Sequence, residues 1–215
     1  MEVRSILSHV DHTLLKAYAT WEEIDTLCQE AKAYQTASVC IPPCYIKRVK
    51  EKYCDNIVIC TVIGFPLGYS VTAAKVAETR QAIKDGADEI DMVINIADVK
   101  NGDFDAVEAE IRAVREAAGS KLLKVIIETC YLTDEEKKKM CSIVSNAKAD
   151  FIKTSTGFGT AGATAEDIRL FKEYVSPDVK IKAAGGIRTV ADMELYLELG
   201  ASRLGTSSAI KLIQK

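Results

Sequence analysis

Eight times along this chain a short apolar run gives way to a longer amphipathic one. The short runs cover residues 9–10, 38–41, 57–63, 89–95, 122–127, 151–153, 179–183 and 202–204. The longer ones cover 20–32, 43–52, 72–85, 103–118, 134–147, 165–174, 190–199 and 208–213. Short β-branched runs suit buried strands, and the longer stretches carry a helical period. In 103–118, for example, Phe104, Val107, Ile111 and Val114 fall on one face, with Glu108, Glu110, Arg112 and Arg115 mostly elsewhere. Thr133 or Asp134 can cap the helix that follows, and Gly86 and Gly200 stand where helices should stop. Strand–helix–strand crossovers force parallel pairing, because no tight turn reaches a parallel neighbour. Eight such units close an α/β (β/α)8 TIM barrel. An open doubly wound sheet is the competing architecture, but neither G-x-G-x-x-G nor a P-loop follows the first strand.

The chain has no low-complexity segment and no Pro- or Gly-rich linker, so residues 1–215 are expected to form one barrel domain. With 215 residues and 48% hydrophobic content it can bury a substantial core. The net charge of -3 and the absence of a basic block argue against a nucleic-acid partner. No apolar run approaches the roughly 18 residues of a membrane span. The seven Cys are odd in number and form no C-x-x-C, which points to reduced thiols in a cytoplasm rather than a disulfide framework. Barrels of this size commonly assemble symmetrically, so a homo-oligomer, dimer or tetramer, is expected.

In such a barrel the C-terminal ends of the strands carry the chemistry. Several of these runs end in polar residues: Asp11 and Thr13 after the first, Cys40 in the second, Asp91 in the fourth, Lys153 with Thr154 and Thr156 in and after the sixth, and Lys182 in the seventh. A Lys in a strand buried on both faces calls for a charged partner or a function. Two on neighbouring strands, with Asp91 available, favour function. A free amine is almost fully protonated near neutral pH. A nearby ammonium and a dry pocket both favour the neutral form. Lys182 beside Lys153 supplies the like charge, Lys153 attacks an aldehyde to form an imine, and Asp91 passes protons. Lys180 competes with Lys182 for the partner role, since alternation puts both on one face; Lys182 lies nearer the strand's C-terminal end.

Gly185 and Gly186 after the seventh strand, and Gly205, Ser207 and Ser208 around the end of the eighth, occupy the two loops that often bind phosphate in this fold. Small residues let backbone N–H groups approach an anion, and a helix beginning near Ser208 adds a favourable dipole. Gly157, Gly159 and Gly162 form a third, flexible loop that could cover the site. His9 and His12 flank Asp11 without a third ligand in sight, so no metal site is expected. Cys40 and Cys44 flank a turn and read as packing residues, with Cys40 open to alkylation by an aldehyde if it lines the pocket. Tyr69 and Phe158 read as loop anchors.

Seven segments together resemble the deoxyribose-phosphate aldolase family: Asp11-His-Thr-Leu-Leu, Val39-Cys-Ile-Pro-Pro, Val62-Ile-Gly-Phe-Pro-Leu-Gly, Glu89-Ile-Asp-Met-Val-Ile-Asn, Phe151-Ile-Lys-Thr-Ser-Thr-Gly-Phe, Lys182-Ala-Ala-Gly-Gly-Ile-Arg and Gly205-Thr-Ser-Ser. They spread over nearly the whole chain in family order. The resemblance implies reversible cleavage of 2-deoxy-D-ribose 5-phosphate to acetaldehyde and D-glyceraldehyde 3-phosphate. It implies Lys153 as Schiff-base nucleophile, Lys182 as the lysine that tunes it, and Asp91 in the proton relay. It also implies Gly185, Gly186, Ser207 and Ser208 at the phosphate, Asp11 and Thr13 near the pocket, and no cofactor. Two departures stand out: Phe158 follows Gly157 where some longer members carry Lys, and the sequence ends Leu212-Ile-Gln-Lys215 where some carry Tyr.

Overall fold

The computed structural model describes residues 2–214. Its strands are β1 Val10–Thr13, β2 Ser38–Ile41, β3 Ile59–Ile63, β4 Glu89–Val93, β5 Leu122–Ile126, β6 Phe151–Lys153, β7 Lys180–Ala184 and β8 Arg203–Thr206. All pair in parallel with their sequence neighbours, and β1 closes on β8 through Val10↔Leu204 and Asp11↔Gly205, completing the barrel. The helices are α1 Val3–Leu7, α2 Trp21–Tyr34, α3 Ile46–Tyr53, α4 Thr72–Asp85, α5 Ile96–Asn101, α6 Phe104–Ala118, α7 Asp134–Asn146, α8 Ala165–Tyr174, α9 Val190–Glu198 and α10 Ala209–Ile213. No helix among the described residues is long and apolar enough to cross a membrane.

Local signals set the helix ends. Thr20, Thr133 and Thr189 side chains each accept a hydrogen bond from the backbone N–H three residues on, and the Glu23, Glu136 and Asp192 carboxylates accept from the backbone N–H of those threonines, forming three capping boxes. Thr133, not Asp134, is therefore the cap of α7. Gly86 ends α4 in the left-handed region. The two-residue period of the strands divides the barrel wall. Val39, Ile41, Ile90, Met92, Leu123, Val125, Ile152, Ile181 and Leu204 belong to the main hydrophobic core between strands and helices. The alternate residues face the barrel axis. A small second apolar cluster, Cys40, Cys60 and Val62 with Leu15 and Phe65, lies there among charged side chains.

The first and last strands differ from the sequence reading. β1 runs through Asp11, His12 and Thr13, and β8 through Gly205 and Thr206. Polar or small inward-facing residues hide a strand from an apolar-run reading. α1 and α5 were not expected, and the stretch at 43 begins as a 3-10 turn, Pro43–Tyr45, before α3. Glu110, on the polar side of the α6 period, is buried and pairs with buried Lys75 of α4 at 2.8 Å.

Gly68 shows why the segment after β3 is Gly-rich. It holds φ +73°, and a Cβ there would lie 1.9 Å from the Ile94 carbonyl oxygen. Gly102 also has positive φ, +78°, but nothing within 4 Å of its Cβ position. Gly102→Ala is expected to cost only backbone strain, about 1 kcal/mol. Gly68→Ala adds a backbone collision and should cost about 1–3 kcal/mol more. Urea unfolding of the two variants gives the comparison, and equal losses would refute the collision.

Candidate active site

Every strand sends at least one ionisable side chain to the middle of the barrel: Asp11 from β1, Cys40 from β2, Cys60 from β3, Asp91 from β4, Lys124 from β5, Lys153 from β6, Lys182 from β7 and Arg203 from β8. Glu89 joins them two residues before Asp91. Burying so much charge is tolerable only if each group meets its opposite, and here each carboxylate does. Asp91 Oδ2 accepts from Lys153 Nζ at 2.7 Å and from Lys182 Nζ at 2.6 Å. Its Oδ1 accepts from Lys124 Nζ at 2.7 Å and from the Cys60 thiol at 3.2 Å. Asp11 accepts from Lys182, from Arg203 and from the Ser38 hydroxyl. Glu89 lies 2.7 Å from Lys124 and accepts both terminal nitrogens of Arg203 at 3.1 and 3.2 Å.

These contacts fix the charges. Burial pushes the carboxyls of Asp11 and Asp91 toward the protonated form, but the surrounding cations overcome it. Lys124, Lys153 and Lys182 hold Asp91 well below the usual carboxylate range, and Lys182, Lys124 and Arg203 do the same for Asp11. Burial likewise opposes the charges on Lys182 and Lys124, yet the carboxylates lift both above the ordinary lysine range. Cys60 is pushed well up by burial and remains a thiol.

Of the three lysines on Asp91, Lys153 alone among the described residues lines an open cavity. This cavity, about 260 Å³, lies at the C-terminal mouth of the barrel. Thr13, Lys16, Thr156, Gly157, Phe158, Gly185, Gly186, Gly205, Ser207 and Ser208 contribute to its wall. Lys153 is the last residue of β6 and 3% exposed; Lys124 and Lys182 are wholly buried beneath it. The N–H groups of Gly186 and Ser207 make no hydrogen bond within the described residues, whereas the Ser208 N–H is already given to Thr206 Oγ1.

Other expected residues sit outside the wall. Asp11 and Cys40 are buried under the cavity. Thr154 is buried and exchanges hydrogen bonds with the Ala184 backbone at 3.1 Å, tying β6 to β7. Lys180 is exposed at the N-terminal end of β7, beside the Phe151 ring, and does not reach Lys153. His12 points outward to Glu30 of α2 at 2.7 Å, and His9 bonds the Ser202 carbonyl at 3.0 Å, so the two do not converge. Two buried triads, Cys40–Cys60–Asp91 and Asp11–Cys60–Glu89, do bring metal-ligating atoms within 4.8 Å. Lys124 sits among their carboxylates and already matches the charge a cation would need. α10 covers Ala209–Ile213 with Ser208 at its N-cap, as the 208–213 reading anticipated.

The loop after β6, read from its glycines as a flexible cover, does line the cavity through Thr156, Gly157 and Phe158, and it is bonded to its neighbours near both ends. Ala163 N–H donates to the carbonyls of Ala184 and Gly185 at 3.1 Å. A Cβ on Gly162 would lie 2.3 Å from the Gly185 carbonyl, so this glycine serves close packing of two loops. Thr156 donates its N–H and hydroxyl to Glu128, a buried carboxylate at the end of β5 whose backbone is left-handed. Phe158 packs edge-on against Phe65 at 5.3 Å.

Sequence reasoning missed Lys124, Glu89, Arg203 and Lys16. Lys124 carries the signal that exposed Lys153, a cation inside an apolar run, Leu-Leu-Lys-Val-Ile-Ile. Arg203 and Glu89 stand at strand starts, where a charge is unremarkable until the register is known.

The cluster sets a pH window for stability. Asp11 and Asp91 have depressed folded values, so their contribution is present above about pH 4 and drains as pH falls below it. Lys124 and Lys182 have raised values, so theirs is present below about pH 10 and is lost above it. Urea unfolding against pH should show a plateau between these limits. Asp91→Asn should lower that plateau by about 3–5 kcal/mol and flatten the acid limb; an unchanged acid limb would show that Asp91 is not the group titrating.

The DeoC/LacD family aldolase profile matches residues 5–210. A deoxyribose-phosphate aldolase of Clostridium botulinum (strain Alaska E43 / Type E3) is 62% identical over 214 residues, covering 100% of this chain and 97% of the relative. One from Clostridioides difficile (strain 630) is 58% identical over 212 residues, covering 99% and 97%. Among solved structures, an aldolase designated QR15 superposes with TM-score 0.93 at 38% identity, covering 97% of this chain and 94% of that one. The tetrameric deoxyribose phosphate aldolase from Aeropyrum pernix superposes with TM-score 0.90 at 29% identity, covering 99% and 91%. With an interior lysine opening on a cavity and relatives matched from end to end, this chain belongs to the DeoC/LacD family of aldolases.

Proposed function

We propose that the chain reversibly cleaves 2-deoxy-D-ribose 5-phosphate to acetaldehyde and D-glyceraldehyde 3-phosphate through an imine on Lys153. One observation carries the choice of residue: of the lysines bonded to Asp91, only Lys153 reaches the cavity. The neutral amine of Lys153 attacks the open-chain C1 aldehyde, and loss of water leaves an iminium. Its positive charge sits beside Asp91 Oδ2, a carboxylate already oriented by Lys124 and Lys182, so little reorganisation is needed as charge develops. Loss of the C3 hydroxyl proton, taken by Asp91 directly or through water, breaks the C2–C3 bond. The bonding pair moves into the iminium, and triose phosphate departs. The enamine is then protonated at C2 and hydrolysed, which releases acetaldehyde and restores the amine. The imine supplies the electron sink, so the reading invokes no cofactor.

The phosphate belongs at the other end of the cavity, where the N–H groups of Gly186 and Ser207 are unspent. Phe158 occupies the position after Gly157 and offers no charge. Lys16, exposed at the cavity wall, does. Reduced cysteines throughout fit a cytoplasmic enzyme, and the tetrameric Aeropyrum pernix relative favours a homo-oligomer.

Acetaldehyde followed by borohydride should place one two-carbon adduct on Lys153, located by peptide mass spectrometry, and folded Lys153→Arg should have no turnover. Adduct on Lys182 instead would exchange the two roles; no adduct would remove the imine reading. For the phosphate end, Lys16→Gln should raise KM for 2-deoxyribose 5-phosphate about tenfold, the equivalent of one charge-assisted hydrogen bond. Turnover of unphosphorylated 2-deoxyribose should not change. An equal effect on both sugars would place Lys16 away from the phosphate.

A further inference from the structure

Glu128, just past the end of β5, is a buried carboxylate that the imine chemistry does not use. Its bonding partners are the Thr156 N–H, at 3.2 and 3.3 Å from its two oxygens, the Thr156 hydroxyl and the Cys130 thiol at 3.9 Å. None of them is a cation. Burial raises its affinity for a proton, against the Thr156 bonds and the charge of Lys153. A buried carboxylate without a bonded cation is costly. That cost is borne here chiefly for bonds to a single residue of the cavity wall, Thr156.

Thr156 passes the constraint on. Its Oγ1 donates to Glu128 and accepts the Phe158 N–H at 3.0 Å. The amides of Thr156 and Phe158 are therefore both tied back to one pair of side chains. The N–H of Gly157 between them makes no hydrogen bond within the described residues, and Gly157 lines the cavity. Gly157 holds φ +87° with open space at its Cβ position, so a glycine stands there for the turn and not for room. A Cβ on Gly185 would lie 3.4 Å from Gly157 Cα, so the turn adjoins the Gly185–Gly186 loop. Gly157, Gly186 and Ser207 thus bring three unspent N–H groups, from three loops, to one cavity. Backbone N–H groups gathered in this way suit an anion.

We propose that Glu128 is a positioning residue for phosphate binding: by taking both donors of Thr156 it fixes the turn that presents the Gly157 N–H to the substrate phosphate. This rests on the reading of that end of the cavity as the phosphate site.

The test is calorimetric titration with glycerol 3-phosphate, which carries the phosphate and no aldehyde, so its binding does not pass through an imine. No binding by the unaltered protein refutes the phosphate reading, and the proposal with it. With binding established, Glu128→Ala should weaken it about tenfold, the worth of one amide bond to a charged group. Glu128→Gln keeps an oxygen for Thr156 and should stay within about twofold of the unaltered protein. In steady-state assays, Glu128→Ala should raise KM about tenfold more for 2-deoxyribose 5-phosphate than for 2-deoxyribose, which has no phosphate to hold. A purely structural role would lower kcat on both sugars alike and leave the affinity for glycerol 3-phosphate unmoved. That result in the folded variant overturns the proposal, as does a folded Glu128→Gln that binds no better than Glu128→Ala. If Glu128→Ala does not fold, Thr156→Val decides, since it removes the hydroxyl that joins Glu128 to the Phe158 N–H. The same selective loss supports the proposal, and an equal loss on both sugars overturns it.

Discussion

The carboxylate of Asp91, buried on the barrel axis and bonded by three lysines, is the interaction around which the rest is arranged. Ions in a dry interior must be matched within a few ångströms, because the penalty for leaving one alone is several kcal/mol. That requirement reaches every strand. Six of the eight strands send a charged residue inward, β2 and β3 send Cys40 and Cys60, and the aliphatic neighbours face the helices. The space is shared tightly: a Cβ on Gly205 would lie 3.1 Å from Lys182 Cε, so β8 presents a glycine beside that side chain. Phe151 lies under the Arg203 guanidinium at 5.6 Å and backs it with an aromatic face. A hydrocarbon core of equal volume would hold the barrel at least as well. Stability alone does not account for this cluster, whereas an imine chemistry that needs a carboxylate, an ammonium and a free amine in one place does.

The cluster is layered, and the layers divide the labour. Arg203 and Glu89 start their strands, Lys124 and Lys182 sit at mid-strand, and Lys153 ends its strand. Moving toward the C-terminal mouth, the groups pass from fully paired to substrate-facing. The lower ion Lys124 holds Asp91 Oδ1, and Oδ2 meets both Lys182 and the cavity-facing Lys153. In the proposed reaction a carboxylate held in this way would not need to turn on forming the iminium, which is where a preorganised site gains over water.

The alternation of runs made the barrel legible because strand and helix periods differ and crossovers force parallel order. Where inward polar residues replaced the aliphatic signal, in β1 and β8, the runs looked too short. Lys153, Lys182 and Asp91 stood out as charges inside apolar runs. Lys124 carries the same mark, but it has no Gly-rich loop directly after it to suggest a ligand. Arg203 and Glu89 were beyond reach for another reason: pairings such as Arg203 with Asp11, 192 residues apart in sequence, exist only because the barrel closes. Likewise, the partner of Lys75 on α4, Glu110, lies on α6.

The glycines after β6 show that a Gly-rich loop can serve packing as well as freedom. Read as flexibility, they suggest a lid. In the fold, Gly162 allows one backbone to lie directly on another, and Ala163 then bonds to the strand end that leads into Gly185 and Gly186. Glu128 accepts both donors of Thr156 from a left-handed backbone, with burial raising its own affinity for a proton. The roof over Lys153 is thus tied to β5 on one side and β7 on the other. A mobile roof would leave the aldehyde to be positioned after binding, at an entropic cost for each turnover. A roof built from interlocked loops has part of that cost met when the chain folds, because Thr156 is already fixed to Glu128 in the cavity wall.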